Sequence, residues 1–156
     1  MNRLQLETTI RAPLEVTYRL ALTIPVQERA LTRVHARALP PVSPDPLEPG
    51  DTVAWKARWL GVPWRMRTRI TSADPPRGFV DDQISGPFGG WHHEHHFTSK
   101  GDCTVMRDDV SWSAPYGGMG QLVVAIGFGR FVTTLLQDHN RLLAQLIEKQ
   151  AGAAQR

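Results

Sequence analysis

Four of the six histidines crowd into the run His92-His93-Glu94-His95-His96. On an extended strand alternate side chains leave opposite faces, so His93 and His95 point one way while His92, Glu94 and His96 point the other. An i, i+2 histidine pair can offer two imidazole nitrogens to a metal such as zinc, with Asp81 or Asp108 as a third donor. The same side chains suit acid–base work. Asp108, orienting His93 across a hairpin, would make a base able to deprotonate an activated methylene. The plainest reading is a polar network whose members hydrogen-bond one another or line a cavity. Nothing beside them adds a nucleophile, a phosphate-binding loop or a cofactor motif. Gly117, Gly118, Gly120, Gly127 and Gly129 lack the spacing of a dinucleotide fingerprint. The expectation is polar cavity lining, with no cofactor and no metal; a metal, were one bound, would use His93 and His95. Catalysis ranks below binding, and His93 with Asp108 is the acid–base pair if the chain is an enzyme.

Such residues need a sheet to hold them. Five runs, 52–60, 63–71, 78–85, 91–98 and 103–112, are separated by Gly61-Val62, by Ala73 to Arg77, by Gly86 to Gly90 and by Lys100-Gly101-Asp102. Runs of this length with turn residues between them predict an antiparallel meander. Short turns place Trp59 opposite Trp64, Ile70 opposite Phe79, Ser85 opposite Trp91, and Phe97 opposite Thr104. Alternation then assigns the faces. One carries Val53, Trp55, Ala57, Trp59, Trp64, Met66, Thr68, Ile70, Phe79, Asp81, Gln83, Ser85, Trp91, His93, His95, Phe97, Thr104, Met106, Asp108, Val110 and Trp112. The other carries Lys56, Arg58, Arg65, Arg67, Arg69, Asp82, Ile84, His92, Glu94, His96, Arg107 and Asp109. This register pairs Arg67 with Asp82 and Glu94 with Arg107 on the charged face, each pair worth a few tenths of a kcal/mol. Ionisable groups on the aromatic face are costly unless paired or beside water. A cavity beneath that face accounts for both the tryptophans and the polar cluster.

Before the meander, Leu4–Ile10 reads as a strand. Residues 13–22 and 25–31 read as two short helices opened by Pro13 and Pro25, and 32–39 as a second strand. Pro40 to Gly50 carries five prolines and must be a loop. After the meander, residues 119–149 show a polar–apolar pattern in which Ile126, Phe131, Leu135, His139, Leu142, Leu143 and Leu146 fall on one helical stripe. Gly127 and Gly129 weaken its first third and mark a place to bend or to approach something closely. A twisted sheet curled around that helix is the economical way to bury its stripe.

The 156 residues suit one domain spanning 1–150, followed by a frayed tail at 151–156. The opening residues lack the apolar core of a secretory signal, and no run approaches the ~20 apolar residues of a membrane span. With the single Cys103 no intrachain disulfide forms, which suits a reducing cytoplasm. Eighteen basic residues outnumber 15 acidic ones, and 15 of the 18 are arginines, which lifts the pI to about 9.5 without a large net charge. The stripe Lys56, Arg58, Arg65, Arg67 and Arg69 is the strongest sign of a nucleic-acid or anionic-surface partner. Facing acids favour a solvated sheet face instead, so neither nucleic acid nor stable membrane insertion is expected.

The stretch Phe79 to Phe97, with Met106-Arg107-Asp108-Asp109-Val110 and Pro115-Tyr116-Gly117, resembles the START-like helix-grip superfamily, the SRPBCC group. That group takes in polyketide cyclase/dehydrase-like proteins and the major birch pollen allergen. The likeness is greatest to a small bacterial branch with the pattern F-x-D-x-Q-x-x-G-P-F followed by W-x-H-x-H-x-F. The resemblance implies an α+β helix-grip fold. In it a curved seven-stranded antiparallel sheet wraps around a long C-terminal helix, with two short helices after the first strand. It implies a lipid-like, aromatic or polyketide-like hydrophobic ligand between sheet and helix, held by a carrier or sensor. The alternative is a cyclase/dehydratase-like enzyme using His93 and Asp108. The expected apolar wall is Trp55, Trp59, Trp64, Met66, Trp91, Met106, Val110, Ile126 and Phe131. Asp81, Gln83, His93, His95 and Asp108 would read the ligand's polar end.

Overall fold

The computed structural model describes residues 1–113 and 121–154, with backbone alone for 121–126. The helix onset expected at 119, the motif residues Pro115, Tyr116 and Gly117, and the side chain of Ile126 lie outside the described residues. Strand β1 (Asn2–Ile10) leads into helices α1 (Leu14–Ala21) and α2 (Ile24–Ala30). Then come β2 (Arg37–Leu39), β3 (Thr52–Trp59), β4 (Val62–Asp74), β5 (Gly78–Ser85), β6 (Gly90–Lys100), β7 (Cys103–Ser113) and α3 (Gln121–Ala154). The seven strands form one antiparallel sheet in the order β1-β7-β6-β5-β4-β3-β2. The first strand thus closes onto the last, and α3 packs across the concave side with α1 and α2. This is the α+β helix-grip architecture.

One upstream expectation changes. Residues 32–39 do not form a continuous strand: Thr32–Val34 make a 3-10 turn, His35 turns left-handed at φ 50°, and only Arg37–Leu39 pair with β3. Apolar residues here alternate as they would on a strand, but Leu31, Val34 and Ala36 meet the aromatic cluster of α3 instead. The proline-rich segment is a loop, as expected, and it is tied down. Asp45 Oδ1 accepts the Ile24 N–H at 2.8 Å, capping α2 where the N-cap residue Thr23 makes no side-chain bond to the helix, and Leu47 N–H bonds the Leu22 carbonyl.

The hairpin registers differ from the expected ones by two residues, and by three beyond the two bulges of the β4–β5 ladder. Trp59 pairs with Val62 rather than Trp64, because Leu60 and Gly61 both take positive φ (49° and 78°) and close a two-residue turn. Lys100 pairs with Cys103 across Gly101-Asp102, so Phe97 faces Met106 rather than Thr104. Ile70 faces Asp81 rather than Phe79, and Asp82 faces His92, the pair nearest the loop, so the ends of β5 and β6 beyond it do not pair with each other. A slip of two preserves parity, so the faces stand while the rows change. The ion pairs Arg67–Asp82 and Glu94–Arg107 do not form. Asp82 instead bonds His92 and Thr71, and Arg107 bonds Asp109. Bulges at Thr71 and Ile84 interrupt the β4–β5 ladder, and Ser85, expected on the inner face, is exposed.

The core divides in two. Ile10, Leu22, Val26, Phe79, Phe97, Met106, Leu143 and Ile147 pack beneath α1 and α2. Val110, Trp112, Phe128, Phe131, Val132 and Leu136 pack at the other end of α3. The helix runs unbroken through Gly127 and Gly129, with no described atom within 4 Å of an added Cβ at either. It continues to Ala154 with Ala151 buried, beyond the point where fraying was expected.

Gly78 is the close approach that the sheet requires. A Cβ there would stand 2.4 Å from the His95 carbonyl oxygen, a backbone atom that cannot turn away. Gly78→Ala should therefore force β5 from β6 and cost about 1–3 kcal/mol, read as a fall of several degrees in the thermal midpoint of the variant.

Candidate functional site

Between the two halves of the core lies a cavity of about 190 Å³. Its walls come from α1 and α2, strands β3 to β6, and the inner side of α3. Most of the surface is apolar, because the strands alternate and turn their aromatic face inward. Of the residues expected there, Trp55, Trp59, Trp64, Met66, Asp81, Trp91, His93, His95 and Phe131 line it. Met106, Asp108 and Val110 do not. They share the inner face but are completely covered by neighbours. Gln83 is also absent from the lining: its amide donates to the Phe88 carbonyl (2.9 Å) and accepts the Phe88 N–H (3.3 Å). That side chain holds the β5–β6 loop in place, so both ends of its amide are already engaged.

At one end the cavity is lined by aromatic rings. Trp59 stacks on Phe131 with centroids 4.0 Å apart, Trp64 stacks on Phe128, and Phe88 bridges Phe128 and Trp91 at 5.3 and 4.8 Å. From Trp91 a column of rings descends the sheet. Trp91 meets His93 edge-on, His93 lies 3.7 Å from His95, and His95 stacks on Phe79 at 4.1 Å. The i, i+2 spacing on β6 produces this column directly.

Behind the two imidazoles stands Asp108 on β7, only 1% exposed. His93 Nε2 lies 2.9 Å from Asp108 Oδ1 in a hydrogen bond. His95 Nδ1 lies 2.8 Å from the same oxygen, with its N–H directed too far off that line to count as one. The other carboxylate oxygen accepts the Asn140 amide from α3 at 2.6 Å, and that amide also reaches Thr8 on β1. In front, Asp81 Oδ2 on β5 lies 3.0 Å from His95 Nε2 and 3.7 Å from His93 Nδ1. One carboxylate therefore stands at the rear nitrogens of both rings, hydrogen-bonded to His93 and in close ionic contact with His95, and a second faces the front nitrogens at the cavity wall. Next along α3, the ring of His139 lines the cavity and its Nε2–H donates to Gln27 Oε1 at 2.7 Å.

Electrostatics follow from this packing. Burial opposes charge on His95, but its contacts with Asp108 and Asp81, and their negative charge, raise its pKa to about 9. Burial also opposes charge on Asp108, and its contacts with His93 and His95 hold it far below the usual carboxylate range. Asp81 is lowered against burial by the His95 hydrogen bond and the imidazole charges. For His139 burial outweighs the Asn140 hydrogen bond and the Asp108 charge and pushes the pKa down to about 4, so it is neutral. On the outer face, His92 is raised by hydrogen bonds to Glu94 and Asp82, and Glu94 is lowered by His92.

Asn140, Thr8, Gln27 and His139 complete the site without having been assigned to it from sequence. The adjacent polar pair His139-Asn140 on an otherwise apolar stripe was the available signal. The outer arginines behave differently from expectation. Among the described residues, Lys56, Arg58, Arg65, Arg67 and Arg69 make no ion pair, and all five are exposed.

No known family pattern and no curated relative matches the chain. Solved structures do match. The Thermus thermophilus protein TTHA0849 is 20% identical with a TM-score of 0.72, over 99% of this chain and all of that one. The Zhui aromatase/cyclase of Streptomyces sp. R1128 is 13% identical with a TM-score of 0.68, over 99% and 96%. A START superfamily protein of Mycobacterium smegmatis is 11% identical with a TM-score of 0.66, over 97% and 98%. At these identities the likeness concerns fold: the chain has the START-like helix-grip fold. Among the described residues no helix is long and apolar enough to cross a membrane.

The network of Asp81, His93, His95, Asp108 and Asn140 gives stability a defined pH dependence. The raised His95 contributes fully below its ordinary value of 6.5 and loses that contribution as pH rises through about 9. The lowered Asp108 contributes above its ordinary 3.8 and loses it only as pH falls well below. In chelator-treated protein, urea unfolding should show a decline of a few kcal/mol between pH 6.5 and 9. His95→Gln should flatten that decline.

Proposed function

We propose that this chain binds a compact hydrophobic small molecule, lipid-like, aromatic or polyketide-like, between sheet and α3, as a cytoplasmic carrier or sensor. The supporting observation is the cavity itself: an apolar enclosure whose polar wall is concentrated at Asp81, His93 and His95, with His139 across from them. At about 190 Å³ it exceeds the ~150 Å³ cavity known to admit benzene. It falls below the ~300–1,000 Å³ of pockets that take drug-sized molecules. One or two rings, or a short folded chain with one polar end, match that space. The binding unit is taken as a single domain from residue 1 to about 150. The unpaired outer arginines are taken as a solvated face.

A second reading rests on one observation. Asp108 orients His93 through Nε2, leaving Nδ1 toward the cavity, as a cyclase/dehydratase-like base would be oriented. The likeness to an aromatase/cyclase is one of fold and does not supply the chemistry. His93→Gln should abolish any turnover of a polyketide-like substrate while leaving ligand affinity within a few-fold; loss of both would favour the carrier.

Four cavity tryptophans make binding visible. Titration with dansyl amide, a two-ring dye, should quench their emission, and native mass spectrometry of gently purified protein should retain a small molecule. Ala57→Phe, which fills the cavity from β3, should weaken dye binding about tenfold or more at an overpacking cost of about 1–3 kcal/mol. Equal quenching in both proteins, with nothing retained in the gas phase, would remove the proposal.

A further inference from the structure

We propose that Asp81, His93 and His95 form a site for a divalent transition metal, Zn²⁺ or an ion of similar size and softness, in the cavity wall. The three donor atoms already lie within 4.8 Å of one another. Donors on a tetrahedral zinc at about 2.0–2.1 Å stand about 3.4 Å apart. The measured separations from Asp81 Oδ2, 3.0 Å to His95 Nε2 and 3.7 Å to His93 Nδ1, straddle that value. A metal there takes the position now spanned by the His95–Asp81 hydrogen bond and releases that proton to solvent.

The arrangement behind the donors carries the argument further than their proximity does. Histidine ligands hold their orientation by giving the second ring nitrogen to a carboxylate. Here one buried carboxylate, Asp108, stands at the rear nitrogen of both rings, and it is itself anchored by Asn140. The nitrogens left over are the two that face Asp81. The charges agree as well. Two carboxylates beside two adjacent imidazole rings call for two positive charges, and a dication supplies both without placing a charge on each ring 3.7 Å from the other. All three donors line the cavity, so the remaining coordination positions open into it. An oxygen donor such as a carboxylate, a phenolate or an enolised dicarbonyl fits there. That last step rests on the ligand reading above; the metal site itself does not.

Cobalt and zinc ions alone test the site. Chelator-stripped protein should take up one equivalent of Co²⁺, seen in its visible d–d absorption, and Zn²⁺ should displace it. Asp81→Asn keeps the Asp108 pairs intact and should weaken Zn²⁺ binding about 100-fold or more, at least the loss that an outer partner's removal can cause. A thermal melt checks that the variant is folded. The double variant His92→Ala/His96→Ala removes the imidazoles of the outer face and should leave the affinity unchanged. No uptake by the wild-type protein would overturn the proposal. So would binding that survives Asp81→Asn and disappears in the outer-face variant. Dye binding to the stripped protein is a separate reading, so failure of the metal site is distinguishable from failure of the ligand site.

Discussion

A carboxylate that cannot reach water organises this fold. Asp108 lies at the centre of β7, and moving its charge into the interior costs several kcal/mol unless partners surround it. Those partners come from different parts of the chain: His93 and His95 on β6, and Asn140 on α3, whose amide also touches Thr8 on β1. The contacts set the height and rotation of α3 over the sheet at a point where apolar packing alone would allow sliding. They also divide the core into two clusters, and the cavity is lined from both.

The faces of the sheet were legible in the sequence because they depend only on parity. His93, His95, Asp81 and Asp108 alternate with charged neighbours, and a slip of two residues at each hairpin leaves every one of them inward. The rows were not legible, because register belongs to the turns. Leu60 taking a left-handed conformation beside Gly61 is not announced by its residue type, and it moves Trp59 from Trp64 to Val62. Charge pairing across the outer face failed for the same reason. The segment 32–39 failed differently: its apolar pattern was real, but burial against α3 could satisfy it without a strand.

The helix contributed the part of the site that could not be read. Its apolar stripe was clear, yet the stripe does not say which residue stands above which strand. Asn140 meets Asp108 and His139 meets Gln27 only once α3 has been docked against β7 and α2. Gln83 shows the converse limit. Its face was right and its role was not, because the Gly86-to-Gly90 loop folds back and engages both ends of the amide. Parity places a side chain, and only the surrounding backbone decides what it bonds.

Stability alone does not explain why this network exists. A buried ionic cluster exchanged for apolar residues of equal volume is often neutral or stabilising by about 1–4 kcal/mol. The inner face already offers such residues in Phe79, Phe97, Met106 and Val110, all buried beside the cluster. A fully structural network would also sit behind that packing, as Asp108 does. Asp81, His93 and His95 instead line the cavity, with His93 and His95 ordered by the carboxylate behind them. Preorganised polar atoms facing an apolar enclosure are the arrangement required to recognise something placed there. The cost of the network is therefore better matched to what the cavity holds than to the holding of the fold.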